Sequence, residues 1–305
     1  MKRAALLALK IGVTLGLLGY LASRIELRAV AEIVAGASWG WVAAGFVLYL
    51  ALQGLCAWRW LCLARVLHLE GTWRRFTRYY YIGMFFNLFL PTGVGGDVYR
   101  CYYLARSADD WKRAIVSVLA DRGVGFGTMC GIALVAWLVF GEVRVPSWMG
   151  WALGGVAAVG LIVLAAAWAA KGRLAAVRQS MPLVAELFRR PGVLMWVAVL
   201  SILLQTLVVI VNIFNGRALH LEIPIAFYFL LIPLVAVATM IPVSLNGLGV
   251  REGAFVFFLA QVGVPEAQAL SLALLWLAIL IASSLIGGLV WIVTPAPPRA
   301  PSASR

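Results

Sequence analysis

An all-α polytopic membrane fold is predicted by three features of the sequence. Of 305 residues, 64% are hydrophobic and only 12% are charged, whereas soluble domains carry about 25% charged residues. Apolar runs of spanning length recur along the chain. The basic residues gather between those runs, as they do in segments held on the cytoplasmic side of a membrane. Thirteen tryptophans and nine tyrosines suit a chain with many membrane–water interfaces, where amphipathic rings settle. At roughly 20 residues per crossing, the length holds about six to eight spans and no separate soluble catalytic domain.

The net charge of +13 would suggest nucleic acid in a soluble protein. Placed in short loops, it fits the positive-inside rule and attraction to anionic headgroups instead. No nucleic-acid partner is expected. Cys56, Cys62, Cys101 and Cys130 form no CxxC pair and lie in or beside apolar runs. They are expected as packing residues, with no metal, disulfide or cofactor.

The spans fall near 4–22, 39–57, 114–140, 149–170, 193–215 and 268–293. The first follows Met-Lys-Arg and lacks a signal-peptidase site, so it is expected to be an uncleaved helix starting in the cytoplasm. Two further apolar stretches, roughly 79–107 and 226–263, are broken by Pro and Gly. The last residues, 295–305, are rich in Pro, Ala and Ser and are expected to be disordered.

Charge orients the segments. The stretches Arg59–Arg78, Arg100–Arg113 and Lys171–Arg190 are basic and expected to be cytoplasmic loops, while 141–148 and 216–225 are expected outside. Residues 79–107 then begin and end on one face, as a re-entrant hairpin. The same reading of 226–263 gives six full spans, two hairpins and a cytoplasmic C-terminus. The halves, 1–140 and 149–294, then form inverted repeats within a single transmembrane domain, a pattern of transporter folds. The alternative is seven or eight full spans, because 226–245 is long enough to cross.

The two breaks carry the chemistry. The first reads NLFLPTGVGGDVYR, Asn87 to Arg100, and the second IPVSLNGLGVREG, Ile241 to Gly253. Each has a proline (Pro91, Pro242), a Gly-rich turn (Gly95 and Gly96; Gly247 and Gly249) and charges (Asp97 and Arg100; Arg251 and Glu252). Proline removes a donor and ends a helix, and glycine permits close backbone approach. Broken backbone at membrane depth survives only against protein or a wet cavity. A helix N-terminus after such a turn, with Arg100 or Arg251, suits a phosphate. The plain alternative is a pair of loops outside the membrane with solvated charges.

Asp121 and Arg122 lie inside an apolar helix, facing a cavity or partner unless the helix starts later and leaves them at the interface. Asn87, Gln205 and Asn212 are expected mainly to hydrogen-bond between helices. His68 and His220 stand apart in loops, and no HExxH, Walker or GxSxG pattern occurs.

These same residues resemble the membrane region of lysylphosphatidylglycerol synthases and the stand-alone flippase-like proteins related to it. An Arg-Trp pair follows the second helix (Arg59-Trp60). An N-x-x-L-P…GD…R segment follows (Asn87, Leu90, Pro91, Gly96, Asp97, Arg100), then an acidic-Arg pair (Asp121-Arg122). A late P-x-S-x-x-G-x-G-x-R-E segment matches Pro242, Ser244, Gly247, Gly249, Arg251 and Glu252, with Asn246 beside them. The resemblance implies a domain that binds or moves lipids across the cytoplasmic (inner) membrane. Aminoacyl transfer belongs to a separate C-terminal domain in the full synthases, so this chain is expected to be the flippase-like part alone and not an enzyme.

The leading expectation is a translocase for an anionic or polyprenyl-linked lipid. Its phosphate would meet Arg100, Arg122 and Arg251, with Asp97, Asp121 and Glu252 holding the arginines. The alternatives are an enzyme acting on a lipid phosphate or lipid-linked sugar, and a non-transporting subunit of a membrane partner. A homo-oligomer or a partner membrane enzyme fits any of these.

Overall fold

The computed structural model describes residues 2–90, 95–105, 107–139, 155, 175–240 and 243–295. Among them the regular structure is entirely helical. The helices are α1 (Lys2–Arg24), α2 (Leu27–Ala35), α3 (Trp39–Val66), α4 (Trp73–Phe89), α5 (Gly95–Leu104) and α6 (Ala108–Val139). They continue with α7 (Ala175–Phe188), α8 (Pro191–Ala218), α9 (Ile225–Met240), α10 (Val250–Ala260) and α11 (Glu266–Val293).

Helices α3, α6, α8 and α11 are each long and apolar enough to cross a membrane. The pair α1–α2 meets the same test together but is bent by 84°. The expected span at 149–170, apart from residue 155, the loop at 141–148 and the tail from 296 onward lie outside the described residues. Helix α9 has 16 residues, or about 24 Å at 1.5 Å per residue, short of the ~30 Å hydrocarbon core.

All three expected basic loops are largely helical among the described residues, with residues 100–104 in α5 and 108–113 in α6. Helix α3 runs on to Val66, so Arg59 belongs to a helix interior and not to a basic loop. An arginine is tolerated there because acidic and hydroxyl partners reach it from α6 and α8. Residues 175–188, expected within a basic loop, form α7. Its Leu183, Val184 and Leu187 pack with Leu63, Leu67, Val116 and Val197, and this burial outweighs Pro182 within the helix.

Helices α3 and α8 lie side by side in opposite directions. Gly45 faces Asn215, Leu52 and Cys56 pack with Leu200 and Leu204, and Leu63 packs with Val197. Helix α4 rests on α11, where Gly287 and Gly288 leave room for Tyr81 and Phe85. Helix α9 packs on α6, α8 and α10. Phe227, Phe255, Leu259 and Ala273 centre the largest apolar cluster there, all fully buried.

Helices α4 and α5 form an antiparallel hairpin. The rings of Tyr79 and Tyr103 lie 5.0 Å apart, and those of Phe86 and Tyr99 stack at 3.6 Å. The two backbones also touch, since a Cβ on Gly96 would run into the Gly83 carbonyl. Asn87 Oδ1 accepts the Gly96 N–H at 2.9 Å, so Asn87 pins the two arms.

Candidate functional site

The hairpin brings the charges of the first break against α3 and α6. Asp121, 1% exposed, accepts from Arg59 Nε at 2.8 Å and from Arg100 Nη2 at 3.0 Å. Arg59 also donates to Ser201 Oγ at 3.1 Å and to the Asp121 carbonyl at 3.3 Å. Arg100 Nη1 reaches Asp97 Oδ1 at 3.3 Å. Asp97 in turn takes a two-pronged contact from Arg122, at 3.1 and 3.0 Å.

Three arginines and two aspartates thus form one chain of contacts with a positive charge in excess. The Arg100 guanidinium lies 4.1 Å from the centre of the Trp60 ring and 4.6 Å from that of Tyr80. Two aromatic rings this close stabilise a desolvated cation. Trp60 is itself fully buried and donates to Ser117 Oγ at 3.0 Å.

The second break is built differently. Asn246, Gly247 and Gly249 have φ of 50°, 75° and 81°, a left-handed run that glycine and asparagine adopt most readily. Leu245 N–H donates to Thr14 Oγ1 on α1 at 2.9 Å. Asn246 Nδ2 donates to the Leu88 carbonyl on α4, so the two breaks touch. Glu252, 1% exposed, takes the Gly249 N–H on Oε2 at 2.6 Å. It caps α10.

Glu252 forms no ion pair with Arg251 among the described residues, which corrects the expectation that it holds that arginine. Capping engages one carboxylate oxygen, Oε2, with the backbone of its own helix. Arg251 Nη2 donates to the Asn246 carbonyl at 3.1 Å. Arg251 Nη1, Ser244 Oγ, Asn246 Oδ1 and Glu252 Oε1 are buried atoms without a protein partner among the described residues. In the first break only Arg100 Nε shares that state.

Between the breaks lies a cavity of about 340 Å³. Arg100 and Arg122 line it from the first half, with Gly83, Asn87 and Leu88. Asn246 and Arg251 line it from the second, with Leu280 and Ser284, and Tyr49, Gln53, Tyr80 and Met84 complete the wall. Of the sequence-expected residues, Asn87, Arg100, Arg122, Asn246 and Arg251 therefore face one space. Asp97 and Asp121 stand behind the arginines. Gly95 and Gly96 open α5, Gly247 and Gly249 shape the second turn together with Ser244, and Glu252 stands in the first turn of α10. Pro91 and Pro242 lie outside the described residues.

Sequence reasoning missed Tyr49, Gln53 and Tyr80 as lining residues and read Arg59 as a loop charge. The Arg59-Trp60 pair was the available signal, since both side chains converge on the Arg100 site. Gln205 bridges helices as expected, donating to the Gly125 carbonyl at 3.0 Å. Asn212 instead donates to Val208 on its own helix. Among the described residues no three His, Cys, Asp or Glu side chains gather as metal ligands.

Interrupted apolar helices around a cationic cavity define a multi-pass helical membrane protein with a polar interior site. The chain belongs to the family described as lysylphosphatidylglycerol synthase TM region, whose model matches residues 7–288. That family is tied to the modification or translocation of membrane lipids. A comparison with curated proteins gives no match.

Proposed function

We propose that the chain is a lipid translocase that takes a phosphate-bearing headgroup into the cavity between the two breaks. The observation that carries this reading is Arg251. It lines the cavity, has no carboxylate partner among the described residues, and stands in the first turn of α10. Arg251 is half-buried, but its Nη1 is shut off from solvent without a partner, and a cation so placed without an acid is costly unless an anion joins it. The helix dipole adds to the attraction. Arg122, 53% exposed and steadied by Asp97, supplies a second donor, while Arg100 is already engaged by two aspartates.

The cavity is of headgroup size, so the acyl chains remain in the bilayer. On this reading the chain moves a lipid without altering it covalently, alone or beside a membrane enzyme that supplies the substrate. Both anionic phospholipids and polyprenyl-linked phosphates carry the required group.

The alternating step follows from two inverted halves. In each, two spans precede a re-entrant hairpin and a last span, with the N-terminus in the cytoplasm of an inner-membrane protein. Counterpart packing supports this: α3 lies antiparallel to α8, and α4 on α11 is matched by α9 on α6. The Asn246–Leu88 link ties hairpin to hairpin across the cavity. The reading is tested by mass spectrometry of lipids retained by the purified protein. Wild type retains a phosphate-bearing lipid that Arg251→Ala loses. Equal retention by both proteins refutes the assignment of Arg251.

A further inference from the structure

A second concave site lies at the basic end of the bundle, where the end of α3 meets the start of α8. The cavity measures about 630 Å³. Arg65, His68 and Arg190 line it together with Val193 and Trp196. Its charges are not equivalent. His68 Nε2 is 2.7 Å from Glu186 Oε1, so that ring already has an acidic neighbour. Arg65 and Arg190 have no carboxylate partner among the described residues. Trp196 is 53% exposed and is the type of ring that settles at the membrane–water boundary.

We propose that this pocket is a fixed binding site for the phosphate of an anionic phospholipid of the adjoining leaflet, distinct from the cavity at Arg251. The chemistry follows from the walls. Two free guanidinium groups match phosphate oxygens by forked, charge-assisted hydrogen bonds. The Val193 and Trp196 side offers an apolar path for the start of the acyl chains. Basic pockets between transmembrane helices at the cytoplasmic boundary take such headgroups. Arg65 ends α3 and Arg190 precedes α8, so one bound phosphate bridges the antiparallel pair at the centre of the bundle.

The test is phosphatidylglycerol binding to the delipidated protein in neutral detergent micelles, counted by native mass spectrometry. It is made in the Arg251→Ala background, so that the translocation cavity does not contribute. One phosphatidylglycerol step is expected to remain there. Adding Arg65→Gln with Arg190→Gln weakens it about 30-fold, from roughly a fivefold loss per arginine. Arg65→Lys with Arg190→Lys keeps the charge and recovers part of the loss, which a packing role would not produce. Phosphatidylcholine and free glycerol phosphate give no comparable step, placing the recognition in an anionic headgroup anchored by its chains. The proposal is overturned if the Gln pair binds phosphatidylglycerol within about threefold of its parent, or if phosphatidylcholine or free glycerol phosphate binds as tightly as phosphatidylglycerol.

Discussion

Replacing Asp121 with Asn isolates the role of the buried ion network. The substitution keeps the shape of the side chain and removes its charge. Asp121 joins Arg59 and Arg100, whose side chains are 7% and 2% exposed. Arg100 keeps Asp97 at 3.3 Å, but Arg59 keeps only Ser201 Oγ and a backbone carbonyl. One buried guanidinium is then left without a carboxylate. Breaking such a pair costs about 3–5 kcal/mol. For a chain of this size each kcal/mol lowers the melting temperature by about 2 °C, so the expected fall is roughly 6–10 °C. The cysteines provide the assay, because Cys56, Cys101 and Cys130 are buried free thiols and a thiol-reactive dye reports their exposure on heating. Adding Arg59→Gln removes the stranded charge and is expected to return part of the loss, a coupling that a double-mutant cycle measures. A melting temperature within about 2 °C of wild type for Asp121→Asn would refute the network as a structural element.

Arg251→Ala should behave oppositely, with a melting temperature within about 2 °C of wild type. A large fall would show that Arg251 is structural. Gly96→Ala forces a methyl against the Gly83 carbonyl and is expected to cost about 1–3 kcal/mol in the thiol-dye melt; an unchanged melt would contradict the tight hairpin. Glu252→Ala strips the cap from α10 and should cost about 0.5–2 kcal/mol in the same assay. Topology is tested on a cysteine placed at Pro297 in a chain freed of its own cysteines. An impermeant maleimide is expected to label it only after cells are opened, and labelling of intact cells would contradict the double-hairpin topology and favour seven full spans, in which the second broken segment crosses completely.

What the sequence made legible follows from the strength of each local signal. Long uninterrupted apolar runs announced α3, α6, α8 and α11. Paired Pro-Gly interruptions announced the two breaks, because few other structures call for those residues at membrane depth. Arg59 was misplaced because charge density alone cannot separate a basic loop from a helix end whose arginine finds acids 62 residues away at Asp121. The short helix α7 was hidden for the same reason, its Leu and Val contacts lying on α3, α6 and α8. The different fates of the two charged segments were invisible too. Glu252 has the same adjacency to an arginine as Asp121, yet it caps its own helix, and only three-dimensional placement decides between capping and pairing. Tyr49, Gln53 and Tyr80 carry no motif at all, and they line the cavity because α3 and α4 cross there.

Transport itself is tested most directly by reconstitution. Proteoliposomes bearing a fluorescent anionic phospholipid in both leaflets are treated with an impermeant quencher. With wild-type protein, signal beyond the outer-leaflet half is expected to be lost as inner-leaflet lipid reaches the quencher. Arg251→Ala, inserted to the same level, is expected to slow that second phase by about 10- to 100-fold, the worth of a charge-assisted hydrogen bond. A wild-type trace that stops at half, or a variant that matches a complete wild-type trace, would contradict lipid translocation through the Arg251 cavity.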